Sequence, residues 1–296
     1  MSRYDRLMAR LEAGETILID GATGTEVGRR GVPELPNAWN GGAALSHPDV
    51  LREVHQDYIR LGAEIIISNT FATCRHCLEA AGVGEDFELY NRRGVELAVE
   101  AREAENAPDV LVAGGISYWS FVEEKPSLDD LRASVETQAA IMRDAGADLL
   151  MLEMMVGVER MLVTLEAAQT SGLPVWAGLS CEKGADGTMR LLDGDSLADG
   201  LEALKGRGVP LISIMHTFDY DVDACLDVVE RHWDGLVGVY AHTSSPHEGG
   251  KWAHIPPITP EDYAAAAKGW LARDVRLIGG CCGIYTDHIA VLRELV

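Results

Sequence analysis

The chain alternates short, nearly continuous apolar runs with longer amphipathic ones. Eight runs stand out: T-I-L-I-D-G (16–21), A-E-I-I-I-S-N-T (63–70), V-L-V-A-G-G-I-S (110–117), A-D-L-L-M-L-E-M (147–154), P-V-W-A-G-L-S-C (174–181), V-P-L-I-S-I-M-H (209–216), G-L-V-G-V-Y-A-H (235–242) and V-R-L-I-G-G-C-C (275–282). Strands covered on both faces read this way, because neither face meets water. The segments between them have helical spacing. Pro48 to Gly62 places proline where a first turn tolerates it and glycine where a helix ends. Ser127 to Gly146 opens with Ser127 and Asp130 at the spacing of a capping box, with Asp in place of Glu.

Eight strands with helical crossovers over 296 residues predict an α/β fold, a (β/α)8 TIM barrel, as a single domain over 1–296. No linker or low-complexity stretch divides the chain. The polar residues gather where the strands leave the barrel: Asp20, Asn69 and Thr70, Ser117, Glu153, Ser180 and Cys181, His216, His242, and Cys281 with Cys282. In such a barrel these exits converge on the one face that carries active sites.

Composition narrows the partners. Twenty-five basic against 47 acidic residues give a net charge of −22, which argues against nucleic acid or an anionic membrane. The first residues, M-S-R-Y-D-R-L-M-A-R-L-E, contain no apolar signal core, and no run approaches the roughly 20 apolar residues of a membrane helix. A cytoplasmic location is expected, and the six cysteines are then reduced. Metal or catalytic roles outrank disulfides for them.

The chain's last strand ends in R-L-I-G-G-C-C-G-I (276–284). Adjacent cysteines rarely bond each other, because the small ring strains the peptide between them. Two thiolates with the imidazole of His216 can instead supply three tetrahedral zinc ligands and leave a fourth position open, the mark of a catalytic zinc. Gly279, Gly280 and Gly283 are expected to let the backbone bend so that both sulfurs face one ion. Cys74 and Cys77 have CxxC spacing too, but no second pair accompanies them, and spacing alone does not make them a site. Cys181 and Cys225 read as packing residues.

These pieces resemble the homocysteine S-methyltransferase family, which includes betaine– and S-methylmethionine–homocysteine methyltransferases. The resemblance rests on D-G-A-T-G-T-E (20–26), L-S-H-P-D-V-L-R-E-V-H-Q-D-Y-I-R-L-G-A-E-I-I-I-S-N-T-F-A-T (45–73), A-G-A-D-L-L-M-L-E (145–153) and I-G-G-C-C-G-I (278–284), in family order along nearly the whole chain. It implies a barrel with zinc held by three cysteines, two matching Cys281 and Cys282. The third follows an Asn at the end of strand six, where this chain has Met215 and His216. His216 is then the third ligand, with His242 its rival.

The resemblance also implies the chemistry: a methyl group passes from a small sulfonium or ammonium donor to a thiol, homocysteine above all, giving methionine. Asp20 and Glu153 would receive the substrate's ammonium. The N–H of Gly21 and the hydroxyl of Thr70 would hold its carboxylate, and Trp39 would meet the donor. Two stretches depart from the family: A-G-G-I-S-Y-W-S-F-V-E-E-K-P (113–126) lacks the usual Gly-Pro-Tyr-Gly, and Tyr240, Ala241 and His242 replace Tyr-Pro-Asn. Another thiol or donor on the same barrel, or a barrel kept only for binding or regulation, are the readings that compete.

Overall fold

The computed structural model describes residues 1–243 and 258–296, with the backbone of 245–246 and 252–253 between them. Eight strands form one parallel sheet: β1 (Ile17–Leu18), β2 (Ile65–Ile67), β3 (Leu111–Ile116), β4 (Leu149–Met155), β5 (Val175–Leu179), β6 (Leu211–Phe218), β7 (Leu236–His242) and β8 (Leu277–Ile278). Their order is β1-β8-β7-β6-β5-β4-β3-β2. Each coincides with one of the eight apolar runs, β4 and β6 continuing past theirs to Met155 and Phe218. The seam between β1 and β2 is closed by the parallel bridge Ile19–Ile65, so the sheet is a (β/α)8 barrel. The Asp20 carboxylate reinforces this seam by accepting the backbone N–H of Ile67 at 2.7 Å.

The strands are apolar because both faces are covered. β2, β3 and β4 are buried at every position. Each fully buried Ile or Leu among them contributes about 1.5–3 kcal/mol relative to exposure. The fifth run was expected to stay extended to Cys181, yet β5 stops at Leu179. Cys181 instead opens a hairpin, pairing Cys181–Lys183 with Met189–Leu191, and its N–H goes to the Thr217 hydroxyl.

The helix expected from Pro48 runs over Pro48–Arg60 and buries Leu51, Val54, His55, Tyr58 and Ile59, the spacing of one helical face. The next predicted helix is Leu128–Asp144 with Ser127 as its cap. Its capping box is only half made. Ser127 Oγ accepts from the Asp130 N–H, but the Asp130 carboxylate takes the Ser127 hydroxyl at 2.6 Å. Among the described residues no helix is long and apolar enough to cross a membrane.

Two irregularities in the barrel matter for the site. The β4–β5 register shifts between Leu152 and Met155, and the β6–β7 register shifts between Met215 and Phe218. Met154 and His216 sit at these bulges with φ of +53° and +42°. Non-glycine residues rarely adopt this conformation, and it tends to persist where a bulge re-aims a side chain at a functional site.

Candidate functional site

The short β8 hands its chain directly to the rim. The N–H of Gly279 bonds Val239 O, that of Gly280 bonds Asp20 O, and that of Cys281 bonds Ala241 O. The Cys281–Cys282 segment is thus pinned between the ends of β1 and β7. The glycines were expected to let the backbone bend, but only Gly283 has positive φ, at +84°. Gly279 and Gly280 are needed for another reason: a Cβ on either would collide with Ile19 or Ile284. Close approach is what they provide.

This anchoring brings three donor atoms together. Cys281 Sγ lies 3.9 Å from Cys282 Sγ and 3.5 Å from His216 Nδ1. One donor atom from each of the three residues falls within 4.8 Å of the others. Tetrahedral zinc, with bonds of about 2.3 Å to sulfur and about 2.0 Å to nitrogen, requires S–S and S–N spacings of about 3.8 and 3.5 Å. The residues fit the ion. Cys282 is held well below the usual thiol range by the hydrogen bond from Cys281 and by His216, while Cys281 is pushed up.

His242, the rival ligand, is not in this group. It stands edge-on to His216, with ring centroids 4.1 Å apart and planes at 86°, and packs likewise against Phe218. Burial, and next His216, push its pKa down to about 2, and its ring packs against that of His216.

The three donors open on a cavity of about 660 Å³, whose wall includes Asp20, Gly21, Trp39 and Glu153. Burial, and next Cys282, push the Glu153 carboxyl up to about 8. Burial also holds Asp20 well above the usual carboxylate range, with Glu153 adding to the effect. Glu153 has room only because Gly115 has no side chain: a Cβ there would stand 2.5 Å from Glu153 Oε2. A cation placed between two such carboxyls would favour their ionised forms.

Thr70 does not join them. Its hydroxyl donates to Gly115 O at 2.8 Å and pairs with Ser68 Oγ, behind the wall; Ser68 and Asn69 line the cavity instead. Ser117, Ser180 and Cys181 also lie off the wall.

Beside Trp39 and Tyr240, the wall includes Phe71, Trp119 and Phe121, to which sequence reasoning gave no role. Trp39 meets Phe71 edge-on at 6.3 Å, and Phe71 meets Phe121 at 6.4 Å. Trp119 and Tyr240 complete an aromatic side. The dense Y-W-S-F stretch at 118–121 was the available signal. The Tyr240 hydroxyl is buried without a hydrogen-bond partner among the described residues.

A family model described as homocysteine S-methyltransferase matches residues 17–296. The homocysteine S-methyltransferase of Escherichia coli (strain K12) is 29% identical over 327 residues, covering 99% of each chain. Betaine–homocysteine S-methyltransferase 1 of Xenopus laevis is 27% identical, covering 97% of this chain and 74% of that one. Among solved structures, the metallated form of the homocysteine methyltransferase MmuM from Escherichia coli superposes with a TM-score of 0.79 at 26% identity, covering 98% of this chain and 99% of that one.

Proposed function

The chain belongs to the homocysteine S-methyltransferase family and is an S-methyltransferase, and from that premise we propose that it moves a methyl group from a small cationic donor to the thiol of homocysteine, giving methionine. The observation that carries this reading is the convergence of His216, Cys281 and Cys282 within 4.8 Å on the cavity that also holds Asp20 and Glu153.

In this reading His216, Cys281 and Cys282 hold zinc. When bound, the ion supplies Lewis acidity that favours the thiolate form of the substrate. Asp20 and Glu153 receive the substrate's ammonium, and its charge draws the Glu153 proton off. The backbone at Gly21 meets the carboxylate. Trp39, Phe71, Trp119 and Phe121 offer ring faces to a sulfonium or ammonium donor. The thiolate sulfur attacks the methyl carbon in line. The new S–C bond forms as the donor's bond to that methyl breaks, and the electron pair leaves on the donor heteroatom. The donor becomes neutral, loses its attraction to the aromatic wall and departs. Holding both reactants in line removes the entropic cost of bringing them together.

All six cysteines are free thiols, which fits a reducing compartment, the cytoplasm. The test is methionine formation by the purified protein from homocysteine with sulfonium and trimethylammonium donors in turn. Turnover with one donor class supports the reading. A folded, zinc-loaded protein inactive with every donor and with other small thiols would instead be a binding subunit.

A further inference from the structure

The stretch C-R-H-C, Cys74 to Cys77, follows β2 and lies off the cavity wall. We propose that Cys74, His76 and Cys77 form a second metal site, for a thiophilic divalent cation of the zinc class, which ties the start of the Arg75–Ala80 helix after β2 to the loop after β3.

One donor atom from each of the three residues lies within 4.8 Å of the others. Cys74 Sγ is 3.4 Å from His76 Nε2. The carbonyl oxygen of Trp119, on the neighbouring loop, lies 3.0 Å from His76 Nε2, 3.5 Å from Cys77 Sγ and 3.8 Å from Cys74 Sγ. The four spacings given run from 3.0 to 3.8 Å, close to the edges of about 3.3–3.8 Å of a tetrahedral zinc shell.

Without a cation the arrangement is overcommitted. Three hydrogen-bearing groups converge on one carbonyl oxygen that has two lone pairs. A cation replaces the protons on the thiols and the imidazole and removes the conflict. The surroundings suit one. Cys74 and Cys77 are buried in a small apolar cluster with Leu78, Phe87 and Ile141, while half-buried His76 leaves a way in. The backbone N–H of Phe121 points at Cys77. Soft sulfur with imidazole selects zinc-like ions over calcium or magnesium.

The consequence reaches the cavity next door. Trp119 and Phe121, the two residues whose backbone faces the cysteines, also line the cavity. A cation at Cys74, His76 and Cys77 would fix the aromatic wall from behind. The inference does not depend on the methyl-transfer reading.

Elemental analysis of the full chain, purified in zinc without chelators, tests it. Wild type is expected to carry two zinc ions per chain, and the double variants C74A/C77A and C281A/C282A one each. A zinc-free C281A/C282A protein overturns the second site and leaves the first intact. A zinc-free C74A/C77A protein keeps the second site and sinks the first. Should C74A/C77A fail to fold, cobalt(II) loading of C281A/C282A decides: a thiolate-to-cobalt charge-transfer band supports the site, and its absence overturns it.

Discussion

His216 Nδ1 stands 3.5 Å from Cys281 Sγ, although 65 positions separate the two residues in the chain. The contact depends on the bulge between Met215 and Phe218, where His216 takes φ of +42° and turns inward. A regular strand would alternate its side chains strictly and leave no freedom to aim this one.

His216→Ala should therefore empty the Cys281–Cys282 site. Losing a ligand should weaken zinc by more than the roughly 10–100-fold that loss of an outer hydrogen-bond partner costs. Competition against a zinc chelator measures it, and an unchanged affinity would remove His216 from the ligand set. His216→Cys should keep the metal and change its charge, from zero with two thiolates and one imidazole to −1 with three thiolates. The substrate thiol should then ionise less readily, moving the acid limb of the pH–rate profile to higher pH. Superimposable profiles would contradict the charge argument.

Gly115→Ala tests the carboxyl pocket. The added Cβ meets Glu153 Oε2 at 2.5 Å and Ile67 Cγ2 at 3.1 Å, so Glu153 must shift. The KM for homocysteine should rise about 10- to 100-fold, as displacement of a positioning group by about 1 Å does. Zinc content should stay the same. A normal KM would free Glu153 of its substrate role.

The aromatic wall should read charge. Phe121→Leu, which breaks the edge contact with Phe71, should weaken a sulfonium donor about 3- to 30-fold, the range of a cation–π contact. A neutral thioether of the same shape should bind both proteins alike. Equal losses for both ligands would point to packing alone.

His55 makes acid stability testable away from the site. It is buried on the Pro48–Arg60 helix, neither ring nitrogen has a hydrogen-bond partner among the described residues, and burial pushes its pKa down to about 4. The unfolded chain, with an ordinary imidazole near 6.5, binds the proton first. Stability is therefore full above about 6.5 and falls as pH drops toward 4, by about 3 kcal/mol in all. His55→Leu should flatten that slope. Urea unfolding of both proteins between pH 7 and pH 4 measures it, and parallel curves would show that His55 does not titrate on unfolding.

The barrel was legible because its strands are covered on both faces, so apolar runs alone mark them. The Cys281–Cys282 pair was legible because few other arrangements call for adjacent thiols. The bulges were not, since Met154 and His216 carry no residue-type signal for positive φ. Thr70 sits at a strand exit as expected, but its hydroxyl turns back to Gly115 O, and that direction is set by β3, not by its own neighbours in sequence. Asp20 proved to serve the barrel seam as well as the cavity. Cys74, His76 and Cys77 looked ordinary because the group that unites them, the Trp119 carbonyl, is supplied by another loop.

The most direct test of the central claim is methyl transfer to homocysteine by the protein stripped of metal and then given zinc back. The account predicts that stripping abolishes methionine formation and that zinc restores it in wild type, while C281A/C282A stays inactive. Full turnover by the stripped wild-type protein would contradict it.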